Sequence, residues 1–264
     1  MPQVEEGTFG NGVPYLRTGR GPVLLVAAGL TSEHANPQGA ARRASLAWAA
    51  PYAAHFTVHL VNRRPGLPAA TSMSDLAADY ASVIEDDLGE PVLLHGTSTG
   101  GSVALQLAVD RPALVRRLVL AAAACRLSPR GRSVMAEVAR LTERGDTRAA
   151  TAAMVAAGTP PRLRVLTRPA GWVMGQFTAK DQRDMLAVIA AEDVFDTEPH
   201  LDRVTAPTLV LGGTADGFYS PDLFERTAAR IPHGRAVVWE GRSHVGVAGG
   251  RVPAAVGLGY LLAE

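Results

Sequence analysis

Residues 23–28, Val-Leu-Leu-Val-Ala-Ala, form an unbroken apolar run that stops at Gly29, the pattern of a strand buried on both faces of a parallel sheet. Comparable runs recur at 57–61, 91–95, 115–123, 208–211 and 236–239. Between them apolar residues return at helical spacing over 41–50, 73–88, 100–109, 221–231 and 252–262, the second of these opened by the polar cap region around Ser72 and Ser74. Strand alternating with helix predicts an α/β fold, a doubly wound and mostly parallel sheet.

The alternation lapses over 126–202, where no strand pattern is found and 133–142, 148–157 and 181–191 read as helices. That stretch is too long for a connection. It reads as a helical cap inserted into a core made of 1–125 and 203–264, because a strand pattern resumes at Thr208.

Composition narrows the picture without changing it. With 47% hydrophobic and 19% charged residues the chain can bury a large core. A net charge of +1 with no long basic run gives no footprint for nucleic acid or an anionic membrane. Of the 26 basic residues only Lys180 is a lysine, a bias of composition. The single cysteine, Cys125, cannot form an internal disulfide and ends an apolar run, which suits a small buried side chain better than a catalytic thiol. The first residues lack a signal-peptide pattern and no apolar run approaches the ~18 residues of a membrane span, so the expectation is a cytoplasmic protein. A small-molecule substrate is the expected partner, and the sequence leaves homo-oligomerisation open.

The chemistry is concentrated in three loops. Leu93-Leu94-His95-Gly96-Thr97-Ser98-Thr99-Gly100 runs from a strand through Gly-x-Ser-x-Gly into a helix. A turn of that kind strains the serine's backbone and lifts Ser98 above the sheet, with the Thr99 N–H aimed at a developing oxyanion. A serine hydroxyl needs a base, and the base a group to orient it. Asp216 follows the strand at 208–211, and His244 follows the strand at 236–239, both at the sheet edge where doubly wound folds assemble sites. Glu240, Asp222 and Asp202 compete less well for the acid, as His200 and His233 do for the base. His95 precedes the turn inside a buried strand and suits a structural role. Neither a metal-ligand motif nor a dinucleotide-binding Gly-x-Gly-x-x-Gly after the first strand is present, so no cofactor is expected.

These three loops, in the order Ser, Asp, His, resemble the α/β-hydrolase superfamily from about Gly19 to the C-terminal helix. The resemblance implies that Ser98 is nucleophile, His244 base and Asp216 orienting acid. It also implies a second oxyanion donor from the Leu30 N–H, with Gly29 giving that turn its backbone freedom. Two departures stand out: capped esterases of this family carry His-Gly where this chain has Ala28-Gly29, and many relatives have an Asp-x-x-Gly pattern after the strand where it has Asn62-Arg63-Arg64-Pro65-Gly66. The sequence assigns no role to Arg63 or Arg64. In the cap, Trp172, Met174 and Phe177 are candidates for an apolar substrate pocket or for packing, and His34 lies in a loop over the site, as a substrate contact or a solvated residue. The expected activity is a serine hydrolase for an ester, lactone or thioester with a hydrophobic body, through an acyl-enzyme. A cofactor-free haloperoxidase or perhydrolase, a carbon–carbon hydrolase or a lyase would use the same triad, and a binding protein could keep the fold without turnover.

Overall fold

The computed structural model describes residues 4–179 and 181–263. Eight strands form one sheet in the order β1-β2-β4-β3-β5-β6-β7-β8. β1 (Val4–Thr8) and β2 (Pro14–Thr18) are an antiparallel hairpin, and β2 runs antiparallel to β4. From β3 (Val23–Ala27) and β4 (Thr57–Val61) through β5 (Val92–Thr97), β6 (Val115–Ala121), β7 (Thr208–Gly213) and β8 (Gly234–Trp239) every pairing is parallel. The hairpin lies ahead of the first apolar run. β1 is largely exposed and polar, and β2 mixes buried Pro14, Leu16 and Thr18 with exposed Arg17, so neither is a continuous apolar run like the central strands.

Helices cover both faces: α1 (Gly39–Ala53), α2 (Met73–Ser82) and α3 (Thr99–Asp110) between the early strands. α2 starts at a reciprocal capping box of Ser72 and Asp75 and passes into one π-helical turn over Val83–Leu88. Two buried clusters result, one under α2 and α3, the other under α1 and the C-terminal helix.

The segment between β6 and β7 is entirely helical apart from its connections: α4 (Pro129–Glu143), α5 (Thr147–Gly158), α6 (Arg164–Met174) and α7 (Arg183–Asp193). α6 is absent from the expected set because Pro169 interrupts its pattern. The segment is uneven. α7 buries Met185, Val188, Ile189 and Glu192 in the main core, whereas α6 leaves Val165 and Leu166 largely exposed. After β7 come α8 (Pro221–Arg230), then β8, the short α9 (His244–Ala248) and α10 (Arg251–Leu262). Among the described residues no helix is long and apolar enough to cross a membrane.

Candidate active site

Ser98 sits between β5 and α3 at φ 52° and ψ −127°, a conformation that costs a non-glycine residue ~1–3 kcal/mol. The surroundings impose it. The Ser98 N–H donates to the Ala121 carbonyl of the neighbouring strand at 2.9 Å, while its own carbonyl accepts from Gly101 at 2.7 Å and Ser102 at 3.2 Å. The turn also has no room for side chains: a Cβ on Gly96 would lie 2.5 Å from Gly101 Cα, and one on Gly100 would lie 2.3 Å from the Ala27 carbonyl. The Thr99 N–H, at the first position of α3, has no intrahelical acceptor.

The loops after β7 and β8 are built as one unit. The Thr214 N–H donates to Trp239 O at 3.0 Å, Ala215 N–H to Arg242 O at 3.1 Å, and Gly241 N–H to Thr214 Oγ1 at 2.8 Å. Gly213 makes the approach feasible, since a Cβ there would be 2.1 Å from Arg242 O. This brings Asp216 Oδ2 to 2.8 Å from His244 Nδ1, and His244 Nε2 to 2.9 Å from Ser98 Oγ. Asp216 Oδ1 accepts from the N–H groups of Phe218 at 2.8 Å and Tyr219 at 3.1 Å, so the carboxylate cannot swing away. The rings of Phe218 and Tyr219 flank the imidazole at centroid distances of 4.7 and 6.1 Å. His244 and Asp216 are both buried and Ser98 is half buried. A carboxylate can only accept, so His244 Nδ1 carries the hydrogen toward Asp216 and Nε2 is the ring atom that faces the serine hydroxyl.

The loop after β3 is held differently. Arg63 is 1% exposed and donates through Nη1 to Ala28 O at 3.0 Å, through Nη2 to Gly29 O at 2.8 Å and Thr31 Oγ1 at 3.1 Å, and through Nε to His34 Nε2 at 3.3 Å. His34, expected to meet substrate or solvent, is enclosed. Its Nδ1–H donates to Arg64 O at 3.1 Å, and burial together with the Arg63 charge lowers its pKa to about 4. Gly29 also departs from expectation: its φ is not positive. Space does not demand it either, because a Cβ there would meet Thr97 O at 3.4 Å and Ser98 Cβ at 3.5 Å, ordinary van der Waals contact.

Behind the serine turn lies a second buried ionisable group, which the sequence does not single out. Glu192, on α7, is 2% exposed and accepts from Thr99 Oγ1 and Ser102 Oγ, both at 2.8 Å, and from Tyr219 OH at 3.4 Å. Burial pushes its carboxyl pKa up, against the pull of the two hydroxyls. The signal was available: Glu192 occupies the next place in the apolar stripe Met185, Val188, Ile189.

The remaining candidates are dispersed. His95 is buried against Trp48 and Tyr52, with ring centroids at 5.1 and 5.9 Å, as a structural histidine. A cleft of about 1260 Å³ runs along the outer side of the loop after β3, walled by Ala28, Gly29, Thr97, Trp48 and Phe177; Ser98 is not among its walls. His34 also borders it, while Trp172 and Met174 do not. Trp172, 48% exposed, carries the Arg148 guanidinium 4.5 Å over its ring, and Met174 is exposed. Cys125 is buried and its thiol pKa is raised by that burial. Asp196 and Glu198 lie close to it, and Arg126 is paired with both carboxylates.

Comparison with known proteins agrees with this architecture. No curated protein matches the sequence. Among solved structures, the chain is similar to MGS-M2, an α/β hydrolase enzyme from a Medee basin deep-sea metagenome library, with TM-score 0.84, 16% identity and 98% of each chain covered. It is similar to the enol-lactonase from Burkholderia xenovorans LB400, with TM-score 0.77, 17% identity and coverage of 95% of this chain and 96% of that one. It is also similar to the esterase EaEST from Exiguobacterium antarcticum, with TM-score 0.74, 17% identity and coverage of 95% and 96%. At these identities the likeness speaks for the fold. The family model described as "Alpha/beta hydrolase family" matches residues 23–255, and the chain therefore belongs to the alpha/beta hydrolase family.

Proposed function

We propose that the chain is a serine hydrolase that cleaves a carboxylic ester, lactone or thioester through an acyl-enzyme. The observation that carries this reading is the continuous relay from Asp216 Oδ2 through His244 to Ser98 Oγ, with contacts of 2.8 and 2.9 Å. In the first step Ser98 Oγ bonds to the carbonyl carbon while its proton passes to His244 Nε2. Asp216 stabilises the imidazolium without taking its proton. The negative charge that develops on the carbonyl oxygen falls to the N–H groups of Thr99 and Leu30. Collapse of the tetrahedral species breaks the bond to the leaving group, which takes the proton from Nε2. Water activated by the same imidazole then opens the acyl-enzyme and restores Ser98.

The helices between β6 and β7 act in this reading as the cap, and the apolar residues exposed on it, Trp172, Met174 and Phe177 among them, suit a substrate with a hydrophobic body. The test is covalent labelling with a fluorophosphonate followed by peptide mapping, run beside hydrolysis of short-chain p-nitrophenyl esters. Stoichiometric modification at Ser98 and ester turnover are expected. A folded protein that neither labels nor hydrolyses would overturn the reading in favour of a binding role.

A further inference from the structure

We propose that Arg63 is the positioning residue of the oxyanion loop, clamping the Gly29–Leu30 peptide so that the Leu30 N–H faces Ser98. The inference rests on the serine-hydrolase reading above and adds a residue to it. Where capped relatives have His-Gly, this chain has Ala28-Gly29, so position 28 offers no polar side chain to hold the turn. Arg63 supplies the grip from the end of β4. Its guanidinium binds two consecutive carbonyls, Ala28 and Gly29, and the Thr31 hydroxyl, at 2.8 to 3.1 Å.

The consequence follows from the planarity of the peptide. In a trans unit the C=O and N–H point in opposite directions, so drawing Gly29 O onto Arg63 turns the Leu30 N–H away from it. Ser98 lies against that same glycine, within 3.5 Å of where its Cβ would be. The guanidinium also polarises the peptide it binds, which strengthens the N–H at the other end as a donor.

Everything around Arg63 is arranged to keep that grip. Its four acceptors are two carbonyls, a hydroxyl and a neutral imidazole; among the described residues no carboxylate accepts a hydrogen bond from the guanidinium, and Glu192 acts on it only through space. His34 must present a bare Nε2 to it, and the Nδ1–H to Arg64 O bond fixes that tautomer. Asn62 secures the adjoining turn, accepting the Arg63 N–H at 2.9 Å and donating to Glu33 O at 3.0 Å and Ala35 O at 3.1 Å.

The experiment compares wild type with Arg63→Met and Arg63→Lys, using p-nitrophenyl ester kinetics, the fluorophosphonate labelling rate, and affinity for an alkylboronic acid that forms a tetrahedral anionic adduct on serine. Arg63→Met should lower kcat and the labelling rate by about 10²–10³-fold, as loss of one oxyanion donor does, with KM changed by less than about threefold. Boronate affinity should fall in step with kcat/KM, because both report binding of the tetrahedral anion. If Arg63→Met does not fold, Arg63→Lys decides: one ammonium retains the charge but cannot fork onto two carbonyls, and at least a ~10-fold loss in kcat is expected. A folded variant that labels at the wild-type rate, or one that loses only KM, overturns the proposal. Wild-type protein that does not label at all instead removes the functional reading, and this proposal with it.

Discussion

The two flanks of Ser98 are held by opposite means. On one flank, Asp216 and His244 stand on adjacent loops after β7 and β8, tied by backbone hydrogen bonds and close glycine contact, and their side chains face the reacting hydroxyl. On the other flank, Arg63 and Glu192 are as deeply buried as any core residue, and each holds a piece of backbone or a hydroxyl near the turn. In the proposed reaction the first flank uses its polar groups for proton transfer. The second spends them on fixing shape, which an isolated buried charge does only where several polar partners offset its desolvation.

This contrast predicts different failures. The largest expected effect is on the first flank: Asp216→Asn should cut kcat by roughly 10⁴-fold with little change in stability. An asparagine can still accept from the Phe218 and Tyr219 N–H groups, but its amide would donate to His244 Nδ1 and leave Nε2 protonated toward Ser98. Ester kinetics beside urea denaturation measure both. A variant that unfolds before it loses turnover would break the contrast.

On the second flank the order should reverse. Glu192→Leu strands two buried hydroxyls, Thr99 and Ser102, and should cost on the order of 3 kcal/mol in unfolding free energy, with Glu192→Gln costing less because its carbonyl still accepts. A loss below about 1 kcal/mol in Glu192→Leu would mean that the carboxylate anchors nothing.

The smallest effect is graded by pH. His34, His59 and His95 are each held down to about 4 chiefly by burial. Between the ordinary value of 6.5 and 4 the unfolded chain therefore binds protons that the folded chain refuses. Stability should be fully present above 6.5 and fall as pH drops through that window, each histidine contributing a slope of up to about 1.4 kcal/mol per pH unit. His95→Phe should remove one such contribution, read from urea midpoints at pH 7 and 5. An unchanged slope in that variant would show that His95 takes up a proton within the fold.

The first flank was legible in the sequence because strand, turn and helix patterns lie beside Ser98, Asp216 and His244. The second was not, since a buried Arg63 after a strand and a buried Glu192 on a helix look like any solvated charge until their partners, 34 and 93 residues away, are known. The β1–β2 hairpin was missed for a related reason: its alternation is half polar and its place at the sheet edge depends on β4. His34 borders the cleft without being solvated, because the guanidinium that encloses it comes from a different loop. Local pattern thus located the three side chains that the fold brings together, while long-range pairing decided what holds them.

The reach of α7 into the core bears on how such enzymes could be recombined. Glu192 fastens this helix to α3, and Asp184 at its other end accepts the N–H groups of Gly66 at 2.9 Å and Leu67 at 2.8 Å. The segment between β6 and β7 is therefore riveted at both ends of its last helix, to α3 and to the loop after β4. An exchange of this segment with that of a relative is not the swap of an independent module. A chimera whose junction lies before α7, leaving Asp184 and Glu192 with their native neighbours, would preserve the rivets and free only the outer helices for redesign.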